Sequence, residues 1–395
     1  LGARSPAPVN RIKYARREQI LGDDMMIKQN RIPQSTALTN EEKTAFIRKS
    51  VLQAGDELRA KHRWLKHQDA IGAIIMVLSL LGMLGSAWLY YQEIISWWLC
   101  IPLVALFASF IHELEHDLIH TIYFRKNPKI NRMMLIIGWI ARPSTINPLV
   151  RRRLHLHHHK HSGTESDLEE RGITNGEHWN MKRLIMTGDN KLATKLRTKS
   201  IHEAAYAYIV AQKPSDDAEL KKLIHEQRNG YFPIGKIYYF VWHGWLILQA
   251  TLILATLAGI SPALPSAVNT AIDILNFLAV TVMLPCFLRT FCLHFISSNM
   301  HYYGDVEDGN VMQQTQVLNV WWLFPLQLFC FNFGATHAIH HFAVREPFYI
   351  RQWTSKQAHA VMREMGVRFN DIGTFKRANR YTMAANPAVE LNTNN

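Results

Sequence analysis

The chain of 395 residues is 48% hydrophobic and only 19% charged, and it carries a formal net charge of +13. This composition excludes a disordered chain, a collagen and a coiled coil, and it is unusual for a uniformly soluble protein. The basic excess favours contact with anionic lipid headgroups or an acidic partner rather than nucleic acid, because no nucleic-acid-binding motif accompanies it. The cysteines lie in apolar stretches without paired spacing, so we expect buried thiols and neither disulfides nor a thiolate metal site. They are Cys100, Cys286, Cys292 and Cys330.

The charge distribution predicts an all-α integral membrane protein with four transmembrane helices arranged as two hairpins. Residues 1–68 are basic and contain no apolar signal-peptide core. Two windows without Lys or Arg follow, from Lys66 to Arg125 and from Lys236 to Arg289. Because a bilayer crossing needs about 20 apolar residues, each window accommodates two spans. The predicted spans are residues 70–91, 94–111, 237–260 and 268–288.

The positive-inside rule places the basic N-terminus in the cytoplasm, so both hairpins return to that face and both termini lie there. Two apolar segments, 133–141 and 317–333, are short or interrupted by Pro325, and we expect in-plane or re-entrant helices. Between them, charged residues with apolar residues at helical spacing predict a helical cytoplasmic cap. The expected organisation is a basic N-terminal segment (1–68), a first hairpin (69–163), the cap (164–235), a second hairpin (236–345) and a polar C-terminal tail (346–395) with a disordered Asn-rich end.

Histidines concentrate in four short segments that this topology places on one face of the membrane. Residues four apart on a helix share a face, so the two histidines of HELEH can bind one ion, and an HxxHH motif can do the same. Together the segments supply nine neutral nitrogen ligands, which are too many for one metal ion but suit two. The predicted metal ligands are His112 and His116; His155, His158 and His159; His301; and His337, His340 and His341.

Other interpretations of these histidines remain open at the level of sequence. A lone histidine at a membrane interface is usually a hydrogen-bonded structural residue. The segment from His112 to His116 matches the HExxH motif of zinc proteases, with Glu113 as general base, but this leaves both HxxHH motifs unexplained. A histidine-lined metal transporter is the non-enzyme alternative, although transport sites lie near the bilayer midplane and these segments follow the span ends.

The set of one HxxxH and two HxxHH motifs resembles the membrane fatty acid desaturase and alkane hydroxylase superfamily, over residues 70–342. The resemblance implies two irons bound by the eight histidines of the three motifs. The segment from Asn299 to Gly304 resembles the additional histidine region of the alkane hydroxylases, which implies His301 as the ninth ligand.

Three further residues are expected to form hydrogen bonds that orient the metal ligands. Asp167 resembles the aspartate that follows the second motif in relatives, where a carboxylate orients a ligand, and it is equally suited to cap a helix. His120 and His161, like His157, exceed the family pattern and are expected to be supporting or structural residues. His294 is compatible with either role.

The resemblance implies an enzyme that uses dioxygen and external electrons to oxidise C–H bonds of a fatty acyl chain, with no catalytic residue beyond the metal ligands. Desaturation is favoured, but hydroxylation, or decarboxylation of a free acid to a terminal alkene, would use the same ligands. The substrate is a fatty acid, an acyl thioester or a lipid. Because the sequence has no Gly-rich dinucleotide motif, CxxC or fused haem domain, a separate ferredoxin, rubredoxin or cytochrome is expected to dock beside Arg151, Arg152 and Arg153. The expected location is a bacterial inner membrane, with a cytoplasmic active site.

Overall fold

The computed structural model describes residues 37–260 and 264–382, and within these ranges its regular secondary structure is helical. Predictions for residues 1–36, 261–263 and 383–395, including the Asn-rich end, lie outside the described residues. The helices are α1 (Asn40–Lys61), α2 (Gln68–Tyr91), α3 (Trp97–Ile119), α4 (Pro128–Ala141), α5 (Pro148–His161), α6 (Leu168–Gly172), α7 (Met181–Thr187), α8 (Asn190–Leu196), α9 (Thr198–Ala211), α10 (Asp217–Arg228), α11 (Ile234–Leu257), α12 (Ser266–Met300), α13 (Val311–Gln314), α14 (Trp321–Cys330), α15 (Phe333–Phe342) and α16 (Phe348–Glu364).

Four helices, α2, α3, α11 and α12, are long and apolar enough to cross a membrane, which confirms the predicted all-α membrane architecture. α3 continues to Ile119, beyond the predicted end at residue 111, so the first histidine motif lies inside the helix. α12 contains a π-helical turn at Ala279–Met283. Pro285 follows this turn and cannot donate a backbone N–H, which disturbs the regular hydrogen-bond pattern of the helix there.

The first hairpin packs closely because α2 presents small residues to its neighbours. A Cβ atom at Gly82 would lie 2.5 Å from the ring of Phe107 in α3. Small residues let helices approach each other in a membrane, where association depends on van der Waals packing. The opposite side of α2 is apolar and exposed, with Leu81 and Leu84 at 59% and 67% exposure. That side suits contact with lipid.

A sharp reversal joins α14 to α15, the helix that carries the third histidine motif. Phe331 and Asn332 both adopt positive φ, at 50° and 56°, so the chain turns between the helices without further residues. Gly334 then packs against the backbone, where a Cβ atom would lie 2.5 Å from the Leu318 carbonyl oxygen. The start of α15 is thereby fixed relative to the segment before it.

Residues 164–235 form the short helices α6 to α10, which lie over α5. Leu223 of α10 is buried in one cluster with Val150 and Leu154 of α5. Ile224, its neighbour, is 39% exposed, so α10 contributes only a narrow apolar stripe.

The segment assigned to a polar C-terminal tail contains α16, which packs against α1, α3 and α15. Ile350, Ala358 and Met362 are buried at helical spacing. Arg351, beside them, forms an ion pair with Asp117 of α3 at 2.8 Å. A polar average composition therefore conceals a stripe of buried residues that ties this helix to the bundle.

All four cysteines are buried and unpaired, as the sequence predicts. Each is at most 3% exposed. Among the described residues no cysteine belongs to a potential metal-binding group. The thiols therefore act as small apolar core residues.

Candidate metal centre

Histidines from four parts of the chain meet beside the ends of α3 and α12. Within residues 37–260 and 264–382, their ring nitrogens form two groups, and in each group the ligand atoms lie within 4.8 Å of one another. The outer histidine group consists of His116, His120, His155, His159 and His340. The inner histidine group consists of His158, His301, His337 and His341.

In the outer group, ring nitrogens face one another. His159 Nε2 lies 3.2 Å from His120 Nε2 and 3.1 Å from His155 Nε2. His340 Nε2 is 3.0 Å from the same atom of His159. Both ring nitrogens of His116 are buried and have no hydrogen-bond partner among the described residues. His120 and His159 are partly exposed, whereas the other three rings are buried.

The inner group is buried throughout and adjoins the outer one. His341 Nε2 lies 3.3 Å from the Nε2 atoms of both His301 and His337. The ring centroids of His159 and His341 are 4.8 Å apart, and those of His116 and His337 are 5.1 Å apart. The two groups therefore form one continuous centre.

The donor set fits two metal ions better than a hydrogen-bond network. A neutral imidazole has one donor and one acceptor nitrogen, so several Nε2 atoms that converge on one point cannot all be paired. Buried polar atoms normally find a partner, and unpaired ones are costly. Imidazole nitrogen is a good ligand for iron and for other first-row transition metals. A metal ion in each group would satisfy these nitrogens together.

Burial also keeps most of these rings neutral, which is the form that binds metal. It lowers the pKa of His120 to about 2 and that of His301 to about 3. At His158, burial lowers the pKa but the Asp167 carboxylate raises it, to about 9. Burial lowers the pKa well below its usual value for His155, His159, His337, His340 and His341.

Carboxylates hold the second ring nitrogen of two histidines of the second motif. His158 Nδ1 lies 2.9 Å from Asp167 Oδ2, and His155 Nδ1 lies 2.7 Å from Glu169 Oε2. A proton held on Nδ1 leaves Nε2 free to bind metal. Asp167 also accepts the Gly163 N–H at 2.7 Å and caps α6, so its contacts match both roles expected from the sequence.

Two neutral groups support the inner histidines in the same way. His341 Nδ1 lies 3.0 Å from Gln314 Oε1, and His301 Nδ1 donates to the Ser297 carbonyl at 2.9 Å. Neither Gln314 nor Glu169 was predicted from the sequence. Glu169 could have been found, because it follows Asp167 in the first turn of a capped helix; Gln314 lies in a segment without any motif.

His112, predicted as a ligand, lies outside both groups, and His120, predicted as a supporting residue, lies inside the outer group. The two histidines four residues apart that belong to the outer group are thus His116 and His120. His112 Nδ1 lies 3.4 Å from Arg142 Nη1, one helical turn away from His116. The same spacing separates His112 from His116 and His116 from His120, so spacing alone could not select the pair.

Glu113, the general base of the zinc protease alternative, does not face the histidine groups as a ligand among the described residues. It is buried, and Arg351 Nη2 lies 3.7 Å from its carboxylate. Glu115, two residues later, is paired with Arg142 and with Arg151. The acidic residues of the HELEH segment therefore balance buried arginines.

The remaining predicted supporting histidines lie away from the centre. His161 Nδ1 contacts Asp308 at 2.9 Å near the surface. His157 Nε2 contacts Ser166 Oγ at 2.9 Å, and its ring belongs to neither group of the described residues. His294, for which the sequence left two roles open, faces a backbone carbonyl at 3.2 Å.

The three arginines expected to form a docking surface are bonded within the chain. Arg151 contacts Glu169 at 3.2 Å, and Arg152 donates to a backbone carbonyl at 2.9 Å. Arg153, the most exposed of the three, forms an ion pair with Glu226. These side chains stabilise the packing of α5 and are not a free cationic patch.

A cavity of 460 Å³ reaches both histidine groups. His116 and His155 of the outer group contribute to its wall, as do His158, His301 and His337 of the inner group. The rest of its wall comes largely from α5 to α10 and α12. Its apolar lining includes Ile146, Leu154, Leu168, Ile173, Ile201 and Phe333. The size and the largely apolar wall suit a small-molecule ligand with an alkyl chain.

Comparison with protein families gives a match to the family described as Fatty acid desaturase over residues 93–373. This range contains all nine histidines of the two groups and three of the four membrane-spanning helices in full. Comparison with curated proteins found no match. Since the family match covers well over half of the chain, the protein belongs to the fatty acid desaturase family.

Proposed function

We propose that this protein is a membrane oxidase that holds two iron ions and uses dioxygen and external electrons to introduce a double bond into a fatty acyl chain. The observation that carries the proposal is the convergence of nine histidines into two adjoining groups in a member of the fatty acid desaturase family. Bound iron would supply the oxidising power for C–H cleavage, which amino-acid side chains lack.

The proposed ligands are the members of the two histidine groups. Iron in the outer group would be bound by His116, His120, His155, His159 and His340, and iron in the inner group by His158, His301, His337 and His341. Support comes from the mutual approach of the Nε2 atoms, to between 3.0 and 3.3 Å, and from the buried nitrogens of His116 that otherwise lack partners. His112 is not a ligand in this proposal.

The chain itself positions these ligands and the substrate. Asp167 and Glu169 each hold a proton on Nδ1 of a histidine, which fixes the tautomer and the orientation of that ring. The cavity offers an apolar wall to an acyl chain and brings its carbons beside both groups. It also limits the access of water to the reacting carbon.

Desaturation, hydroxylation and decarboxylation would share this ligand set. The outcome depends on which carbon lies beside the metal ions and how the neighbouring hydrogen is presented, and therefore on the substrate pose. Family membership supports oxidation of a fatty acyl chain in a membrane, and desaturation is the finer reaction that we propose.

Neither alternative class accounts for the geometry as well. A zinc protease built on HELEH needs His112 and His116 on one ion, yet only His116 belongs to a group among the described residues. A transporter site is expected at mid-membrane between spans. Here most of the ring nitrogens come from segments that follow α3 and α12 or lie outside them.

Electrons are proposed to come from a separate small redox protein of the ferredoxin, rubredoxin or cytochrome type. The partly exposed rings of His120 and His159 support entry of electrons at the outer group. We also propose that both termini and the histidine groups lie on the cytoplasmic side of a bacterial inner membrane, as the distribution of basic residues indicates.

The test uses the full chain in lipid nanodiscs, loaded with iron and supplied with a reductant and dioxygen. Labelled palmitate, a palmitoyl thioester and hexadecane are offered separately, and products are identified in solution and in the headspace. We expect an unsaturated product that requires iron, reductant and dioxygen. The zinc-loaded protein is the matched control.

Formation of an alcohol would indicate hydroxylation at the same centre instead of desaturation, and formation of a volatile alkene would indicate decarboxylation. Absence of any dioxygen-dependent product from iron-loaded protein, or cleavage of peptides by the zinc-loaded protein, would contradict the proposal.

A further inference from the structure

Arg289 of α12 is a buried cation without an anionic partner among the described residues. Its side chain is 1% exposed, and its Nε and Nη1 atoms have no hydrogen-bond partner within residues 37–260 and 264–382. Its Nη2 atom donates to the Thr290 hydroxyl at 3.1 Å. A buried charge with unpaired N–H groups is costly, so this arrangement calls for a partner.

The carboxylate that acts on Arg289, Glu115, and the carboxylate beside the neighbouring Arg151, Glu169, are already engaged. Glu115 forms ion pairs with both Arg142 and Arg151. Glu169 is bonded to Arg151 and to a histidine of the outer group. Three guanidinium groups thus share two carboxylates, which leaves one positive charge in excess.

Arg289 lines the same cavity as the histidine groups. It lies on α12 before His301, at a helical rise of about 18 Å between the two residues. Thr290, Leu293 and Ser297 line the cavity between them. One cavity therefore joins an unpaired cation, an apolar wall and the proposed metal ligands.

We propose that Arg289, with Thr290, binds the carboxylate of a free fatty acid, so that the substrate is the acid itself and the oxidised carbon is set by its distance from the carboxyl group. This inference rests on the proposed function and names its substrate class. A guanidinium group matches a carboxylate in charge and in bidentate geometry.

An alkyl chain or a thioester carbonyl beside Arg289 would leave its charge or its N–H groups without a partner. An alkyl chain against it would keep the N–H groups of Nε and Nη1 dry and unpaired. The carbonyl of a thioester would offer an acceptor without a negative charge, so the excess charge would remain. Only an anion of carboxylate size satisfies both the charge and the N–H groups within a buried wall.

The first test compares ligands on the unmodified, iron-free chain in nanodiscs. Binding of palmitate is measured against hexadecanamide, a neutral analogue of the same length, and against a palmitoyl thioester, at a pH where the acid is ionised. We expect palmitate to bind about tenfold to a hundredfold more tightly, the factor that a charge-assisted hydrogen bond contributes. Equal binding of the acid and the amide would overturn the inference without any substitution.

The second test uses variants in the same binding measurement. Arg289→Gln should lose the preference for the acid, and Arg289→Lys should keep part of it because the charge remains. Arg132→Gln, at an exposed position on α4, is the matched control and should bind palmitate as the unmodified chain does. An Arg289→Gln variant that is folded and still prefers the acid would overturn the inference. If this variant fails to fold, the comparison of acid and amide on the unmodified chain decides the matter.

The position of the oxidised carbon along the chain is an independent test of the proposed carboxylate site. With dodecanoate, tetradecanoate and hexadecanoate as substrates, the oxidised carbon should stay at a constant distance from the carboxyl group. A constant distance from the methyl end would contradict the inference.

Failure of this inference is distinguishable from failure of the proposed function. If palmitate binds in an Arg289-dependent way but is never oxidised, the proposed function fails and the carboxylate site stands. If oxidation occurs without any preference for the acid over the amide or thioester, the carboxylate site fails and the oxidase stands.

Discussion

The outer and inner histidine groups differ in how far they are shielded from the surface. In the outer group His120 and His159 are partly exposed, whereas all four rings of the inner group are buried. Both groups contribute to the cavity wall, so exposure of the outer group arises on another side of the centre. We therefore expect metal and electrons to enter at the outer group, and the inner group to be reached through the outer group or the cavity.

The groups also differ in how firmly the rings are held. In the inner group, His158, His301 and His341 each have a hydrogen-bond partner at Nδ1, whereas the buried Nδ1 of His337 has none among the described residues. In the outer group, His155 has such a partner, but the buried Nδ1 atoms of His116 and His340 have none among the described residues. Rings held at both nitrogens are pre-organised for metal. We therefore expect the inner group to bind metal more tightly.

The largest effect should separate His112 from His120. His120→Ala removes a member of the outer group, so we expect loss of about half of the bound iron and of all oxidation. His112→Ala should retain both irons, because His112 contacts Arg142 and lies outside the groups. Iron per protein is measured by elemental analysis, and oxidation by product formation.

His225→Ala, at an exposed position on α10, is the control for general effects of removing an imidazole and should keep both iron and activity. If His112→Ala lost iron while His120→Ala kept it, the first motif would be assigned to the wrong pair and the outer group would have to be redrawn.

The membrane fold was predictable because it depends on composition over long segments. The windows without Lys or Arg locate all four spans, because charged side chains are costly in a bilayer and long segments without them are easily recognised in a sequence. The helix α16 was missed because its buried stripe is narrow and its other faces are polar. The same holds for α1, where Ile47, Val51 and Gly55 are the buried residues.

The site was predictable as far as motif spacing reaches. The two HxxHH motifs and His301 supply seven of the nine histidines found in the groups, and the first motif supplies His116 as the eighth. The ninth requires a choice between His112 and His120, the two histidines four residues from His116. That choice depends on which face of α3 turns toward α5 and α15, and periodicity does not contain this information. The role proposed for Arg289 could not be predicted for a similar reason. It depends on the lack of hydrogen-bond partners for Nε and Nη1 among the described residues, which the sequence does not show.

A smaller effect should distinguish the two supporting carboxylates. Asp167→Asn should weaken iron binding in the inner group by about tenfold to a hundredfold, the usual cost of losing a hydrogen-bond partner of a ligand. Asp167 is fully buried and also accepts the Gly163 N–H, so its loss disturbs a loop as well. Glu169→Gln should weaken the outer group less, because this side chain is partly exposed and water can replace part of what the carboxylate supplies, whereas Asp167 is fully buried. Iron affinity is measured by competition with a chelator, and a larger loss in Glu169→Gln than in Asp167→Asn would reverse the proposed order of the groups.

The smallest effect concerns the order in which the two irons leave. A water-soluble chelator should remove iron in two phases, with the outer iron first, because His120 and His159 are partly exposed and the buried Nδ1 atoms of His116 and His340 have no partner among the described residues. The His120→Ala variant, which should retain only the inner iron, provides the slow phase on its own. Iron content is followed over time in the presence of excess chelator, and the slow phase of the unmodified chain should match the single phase of the variant. Release of both irons in one phase would mean that the groups exchange metal as a unit, and the difference in burial would then have no consequence for metal binding.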